Sequence, residues 1–127
     1  MLKVIKPLVL TAALLAPLGA TAELTGAQEN AVRAAERYLE FSGFSKEGLI
    51  HQLSSEFGDR FEREDARIAV ESLEVNWRAQ AVRSAEQYLE FSAFSCQGLI
   101  DQLSSSFADR YTEAEARYGA GQTPACN

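Results

Sequence analysis

Side chains suited to nucleophilic or metal chemistry are few in this chain. They comprise two cysteines, Cys96 and Cys126, one histidine, His51, and scattered serines such as Ser54, Ser55, Ser104, Ser105 and Ser106. A nucleophilic serine needs a base poised against it, and a zinc-type site needs several His, Cys or carboxylate ligands together. His51 has no such company, and the position 50 residues later is Asp101. No phosphate-cradling glycine loop occurs, since Gly48 and Gly98 fall inside helical segments. The carboxylates spread along helix faces as solvated charges do. The chain is therefore expected not to be an enzyme and to hold neither metal nor cofactor. The two thiols can still pair with each other.

The first residues set the redox setting for that pairing. Lys3 and Lys6 precede the apolar run PLVLTAALLAPLGA, and Ala20-Thr21-Ala22 forms an A-x-A cleavage site. This is the layout of a secretory signal peptide over residues 1–22, and the alternative is a retained membrane anchor. The run, bounded by Pro7 and Pro17, is shorter than the ~20 apolar residues a spanning helix needs. No cysteine stands at its end, so no lipid anchor is expected. Export to the periplasm or the extracellular space is the reading. The formal charge is −6, and losing Lys3 and Lys6 takes it to −8. Such an acidic chain repels nucleic-acid phosphates.

Behind the leader, the chain repeats itself. Shifting it by 50 places Ala31–Val70 over Ala81–Ala120 with 24 of 40 pairs identical, and FSGFSKEGLI returns as FSAFSCQGLI. Fixed-period self-similarity marks a repeat architecture. Within a unit the apolar spacing is helical: Val32, Ala35 and Leu39 form one stripe, Leu49, Ile50, Leu53 and Phe57 a second, Ala66, Ala69, Val70 and Leu73 a third. The expected fold is all-α, two tandem three-helix, helix-turn-helix-like repeats. Repeat one spans 23–75, repeat two 76–120 with a truncated third helix, and a tail 121–127.

The repeated FS corner joins the first helix to the second. Ser45 is placed to N-cap the second helix, and Phe44 and Leu49 occupy the positions of a hydrophobic staple. Phe94, Ser95 and Leu99 repeat that arrangement, and Phe41 is expected to help lock the corner. The third helices start differently: Thr112-Glu113-Ala114-Glu115 fits a capping box, whereas Glu62-Arg63-Glu64-Asp65 offers no capping hydroxyl. Gly119, Gly121 and Pro124 are expected to stop the last helix early. Cys126 then lies in the tail and Cys96 in the first turn of the second copy's middle helix, so an intramolecular disulfide would staple that copy. An intermolecular bond or two free thiols are the alternatives. Asn76 is expected to cap the next helix, and Trp77 at the junction is expected to bury its ring between the units.

Two helices at a tight corner also suggest DNA binding, but residues 31–75 carry 6 basic and 10 acidic side chains. A recognition helix needs the reverse balance. No nucleic-acid partner is expected.

The stretch AVRSAEQYLEFSAFSCQGLIDQLSSSF resembles the tandem repeat of the Ltp-type host-cell-surface lipoproteins. Their pattern A-x-x-Y-L-[DE]-[FYTS]-S-x-F-S-x-x-G-L-I-x-Q-L is matched by Ala35, Tyr38, Leu39, Glu40, Ser42, Phe44, Ser45, Gly48, Leu49, Ile50, Gln52 and Leu53 and by the positions 50 further on. Their V-[DN]-W junction is matched by Val75-Asn76-Trp77. The resemblance implies a role in superinfection exclusion, stopping incoming phage DNA at the envelope, with an injected tail component such as the tape-measure protein as partner. The chain departs from the family by lacking the lipobox cysteine, and by carrying Arg60-Phe61 and Arg110-Tyr111 where the loop usually has Gly before its aromatic residue. The expected function is an exported helical protein-binding module; the alternative is a host envelope protein with a structural or partner-binding role unrelated to phage. Repeated polar positions outside the apolar stripes are the contact candidates: Glu36 and Glu86, Glu40 and Glu90, Gln52 and Gln102.

Overall fold

The structure, a computed structural model, describes residues 23–127. The signal-peptide reading of residues 1–22 lies outside them. Six α-helices follow in order: α1 (Gly26–Phe41), α2 (Lys46–Ser54), α3 (Arg63–Glu71), α4 (Trp77–Phe91), α5 (Cys96–Ser104) and α6 (Glu113–Gly121). A 3-10 turn, Pro124–Cys126, closes the chain, and no strand occurs among the described residues. The expected all-α repeat fold is the observed one.

Side chains fix where most of these helices begin. Ser45 and Ser95 accept the N–H groups of Gly48 and Gly98 at the starts of α2 and α5, and Asn76 accepts that of Ala79. Thr112 and Glu115 form a reciprocal capping box at α6, and Thr25 and Gln28 form another at α1. Only α3 starts without a side-chain cap, because Glu62 makes no such bond. Each filled cap satisfies a backbone donor that the helix itself leaves without a partner.

The helices build two separate cores from equivalent residues. Ala35, Leu49, Ile50, Leu53, Ala66 and Val70 make the first. Ala85, Leu99, Ile100, Leu103, Ala116 and Ala120 recur in the second, which also holds Ala81 and Tyr111. Fully burying one leucine contributes roughly 1.5–3 kcal/mol, so such a small core is modest and its staples matter. The second copy has one: Cys96 and Cys126 are bonded, with Cα atoms 4.7 Å apart, and their 30-residue separation makes the bond worth about 3–4 kcal/mol in the loop-entropy picture.

Three expectations need correction. The last helix is not truncated, since α6 runs over the same nine positions as α3, 50 residues on. Gly119 is kept inside the helix for closeness rather than flexibility: a Cβ there would come 2.7 Å from the Ala81 carbonyl, so the glycine lets α6 press against α4. The end of α6 is then closed by Thr123, whose hydroxyl donates to the Ala120 carbonyl at 2.7 Å. Phe57 does not continue the α2 stripe, because that helix ends at Ser54 and Phe57 lies in the turn beyond it, facing solvent. Phe41 locks no corner and is also exposed. Its neighbour Phe44 does pack inward, edge-on to Tyr38 at 5.6 Å between ring centres, and Phe94 meets Tyr88 likewise at 5.7 Å.

Candidate protein-binding surface

Between the repeats, hydrogen bonds do what apolar packing does within them. The corner of repeat one, Leu39 to Ser45, sits in a groove formed by α4 and the loop 105–111. Arg83 donates to the carbonyls of Leu39 and Glu40, meeting the C-terminal end of α1 with positive charge, the sign its dipole favours. Gln87 accepts the Gly43 N–H at 3.0 Å and the Ser42 hydroxyl at 3.2 Å, while Gln80 accepts the Phe44 N–H at 3.3 Å. The Ser45 hydroxyl, besides capping α2, donates to the Asp109 carbonyl. Gly43 is obligatory in this pose, for an added Cβ would lie 2.8 Å from the Ser84 nitrogen and 2.9 Å from the Gln80 carbonyl. Trp77, half-buried at the start of α4, reaches back to pack on the core of repeat one.

Each loop after a middle helix is held by a tyrosine. Tyr38 donates to Asp59 at 3.0 Å and accepts from Gln52 at 3.2 Å; Tyr88 donates to Asp109 at 2.7 Å and accepts from Gln102 at 3.1 Å. Gln52 and Gln102, expected as contact residues, are thus half-buried struts. Burial, helped by the bond to Asp109, pushes the Tyr88 hydroxyl up to about 12, and burial also raises the Asp109 carboxyl. Arg60 and Arg110 sit at φ of 65° and 63°, the left-handed region where a side chain costs about 1–2 kcal/mol and glycine costs nothing.

The outward surface combines acid and aromatic character. Glu36 and Glu40 rim a shallow groove with Leu39, Leu73 and Val75, and Glu86 and Glu90 rim another with Leu89, Phe94, Pro124 and Ala125. Phe41, Phe57, Phe91 and Phe107 are 76, 95, 87 and 96% exposed, two equivalent pairs one period apart. Exposed aromatic rings beside charge are what protein interfaces recruit. Periodicity hid these four, since each falls where a helical stripe could be extended to include it. Of the seam residues, Gln80 and Gln87 were marked only by differing from Asn30 and Arg37 in the other copy, and Arg83, which matches Arg33, carried no signal at all.

The model of the host cell surface-exposed lipoprotein family, Lipoprotein_Ltp, matches residues 27–73 and again 76–120. The chain belongs to that family. Its structure is similar to that of Ltp, a superinfection exclusion protein from the Streptococcus thermophilus temperate phage TP-J34, with a TM-score of 0.70 and 30% identity over 80% of this chain and 99% of that one. No curated protein matches the chain. The two family matches meet at the Glu74–Trp77 junction, so each family unit corresponds to one three-helix core. Among the described residues of this Ltp-family chain, no helix is long and apolar enough to cross a membrane, and no cluster of three metal-type ligands occurs.

Proposed function

We propose that this chain is an exported protein-binding module, without enzymatic activity, that excludes superinfecting phage by stopping DNA injection at the envelope. The observation carrying this reading is the likeness, over 80% of this chain and 99% of the other, to a solved exclusion protein. Its partner is an injected tail component such as the tape-measure protein, met by the acidic rims at Glu36, Glu40, Glu86 and Glu90. Those carboxylates lie on exposed helix surface, where their negative charge raises the encounter rate with a basic partner. No nucleic acid enters the reading, because the acid balance repels it.

The test is expression of the gene in a phage-sensitive host, with entry of labelled phage DNA as the readout. Entry should fall while adsorption stays normal. A Glu86→Lys, Glu90→Lys double variant should restore entry with its helical content intact. Unchanged DNA entry across phages related to the source would sink the proposal.

A further inference from the structure

Repeat one carries its own copy of the groove that repeat two uses to hold the Leu39–Ser45 corner, and no described residue fills it. It is a cleft of about 590 Å³ lined by Arg33, Ala34, Arg37, Tyr38, Phe41 and Phe61, with Asp59 at its edge. Moved on by 50 positions these are Arg83, Ser84, Gln87, Tyr88, Phe91, Tyr111 and Asp109, the walls that surround the docked corner, where about 250 Å³ is left. The molecule therefore displays one groove occupied and its twin open.

Three substitutions among the lining residues distinguish the open groove, and they describe its occupant. Arg33 is retained where Arg83 grips the last carbonyls of α1, so a helix C-terminus remains the fitting shape. Ala34 and Phe61 replace Ser84 and Tyr111, whose hydroxyls bond each other at 2.7 Å, leaving more room and an apolar wall. Arg37 replaces Gln87, whose amide oxygen accepts the Gly43 N–H. A guanidinium can only donate, so the atom that meets it must be an acceptor. Arg33 donates to the Asn30 side chain, the counterpart of Gln80, but neither Arg33 nor Arg37 makes an ion pair with any described residue, while Asp59 supplies one carboxylate against the two cations and already accepts from Tyr38.

We infer that the open groove of repeat one receives the C-terminal end of a partner protein's helix that carries a carboxylate at its tip. Arg33 takes the last-turn carbonyls, Arg37 the carboxylate, and the aromatic walls the apolar face of the helix. A second copy of this chain fits poorly. Its free corner has Ala93 where Gly43 stands, and in the observed pose that methyl would meet backbone atoms within 3 Å. The same alanine keeps the repeats from adding end to end. This inference concerns an arginine-lined cleft rather than the acidic rims, so it stands or falls separately from the exclusion reading.

The probe is a helix-stapled peptide of sequence Ala31–Ser42, prepared either as the free acid or as the C-terminal amide. In the seam the atom following Ser42 is the Gly43 nitrogen, so the free acid sets a carboxylate oxygen at that point and the amide keeps a donor there. Titrated into the isotope-labelled protein, the acid should bind about tenfold tighter than the amide, the effect of one charge-assisted hydrogen bond. Amide shifts should centre on Arg33, Arg37 and Phe41. Arg37→Gln restores the acceptor of repeat two and should abolish the preference without altering the rest of the spectrum, since Arg37 is exposed. Equal affinity for both forms, shifts centred on α4, no binding at millimolar acid peptide, or a self-associated dimer that buries this groove would each overturn the proposal.

Discussion

Tyr88 and Tyr111 place two phenols beneath the seam, and their protonation ties stability to pH. Tyr111 is buried, donating to the Gln80 carbonyl at 2.8 Å and bonded to Ser84. Burial raises its pKa above the usual value of 10.0, and burial takes Tyr88 to about 12. Unfolded phenols ionise near 10.0 while the folded ones stay neutral, so their contribution is whole below that pH and drains away as pH climbs towards 12. The urea midpoint should hold level up to about pH 9.5 and fall steeply beyond it; a level midpoint at high pH would mean these hydroxyls are open to water. Copy one has Phe61 and Ala34 at the Tyr111 and Ser84 positions, so this hydroxyl pair belongs to repeat two alone. That exchange was readable in the alignment of the copies. Its meaning was not, because nothing local says that the corner of another unit lies against it.

Among the helices, the unequal starts of α3 and α6 give a direct comparison within one molecule. Thr112 accepts the Glu115 N–H at 3.1 Å, while Glu62 caps nothing. Glu62→Thr should raise stability by about 1 kcal/mol and Thr112→Ala should lower it by about the same, read from urea unfolding. Opposite signs confirm the cap as the cause; equal signs would refute it. Caps were legible in advance because they depend on a few neighbouring residues. The length of α6 was not. Gly119 reads as a helix breaker in sequence, yet the close approach of Ala81 makes it the residue that permits packing, and the cost of a helical glycine, roughly 1 kcal/mol, is offset by that contact.

At the scale of the whole molecule, the seam is a polar joint between two cores that share no residue. Gly43→Ala should therefore act on the joint alone. The added methyl meets backbone at Ser84 and Gln80, the corner must withdraw, and the bonds to Gln87 and Gln80 weaken. Stability should drop by about 1–3 kcal/mol, with amide shifts concentrated along 39–45 and α4 and both cores unmoved. Shifts confined to residue 43 itself would show that the repeats do not dock this way. By itself the sequence determined the duplication, the helical character of each unit and most helix starts, since periodicity and capping act over a few residues. Tertiary structure alone decided which phenylalanines face water, which glycines are points of close contact, and that one of two equivalent grooves is filled by its neighbour. Those outcomes depend on atoms 36 to 64 positions apart along the chain, such as Phe44 with Gln80 and Ser45 with Asp109, whose meeting no local pattern encodes.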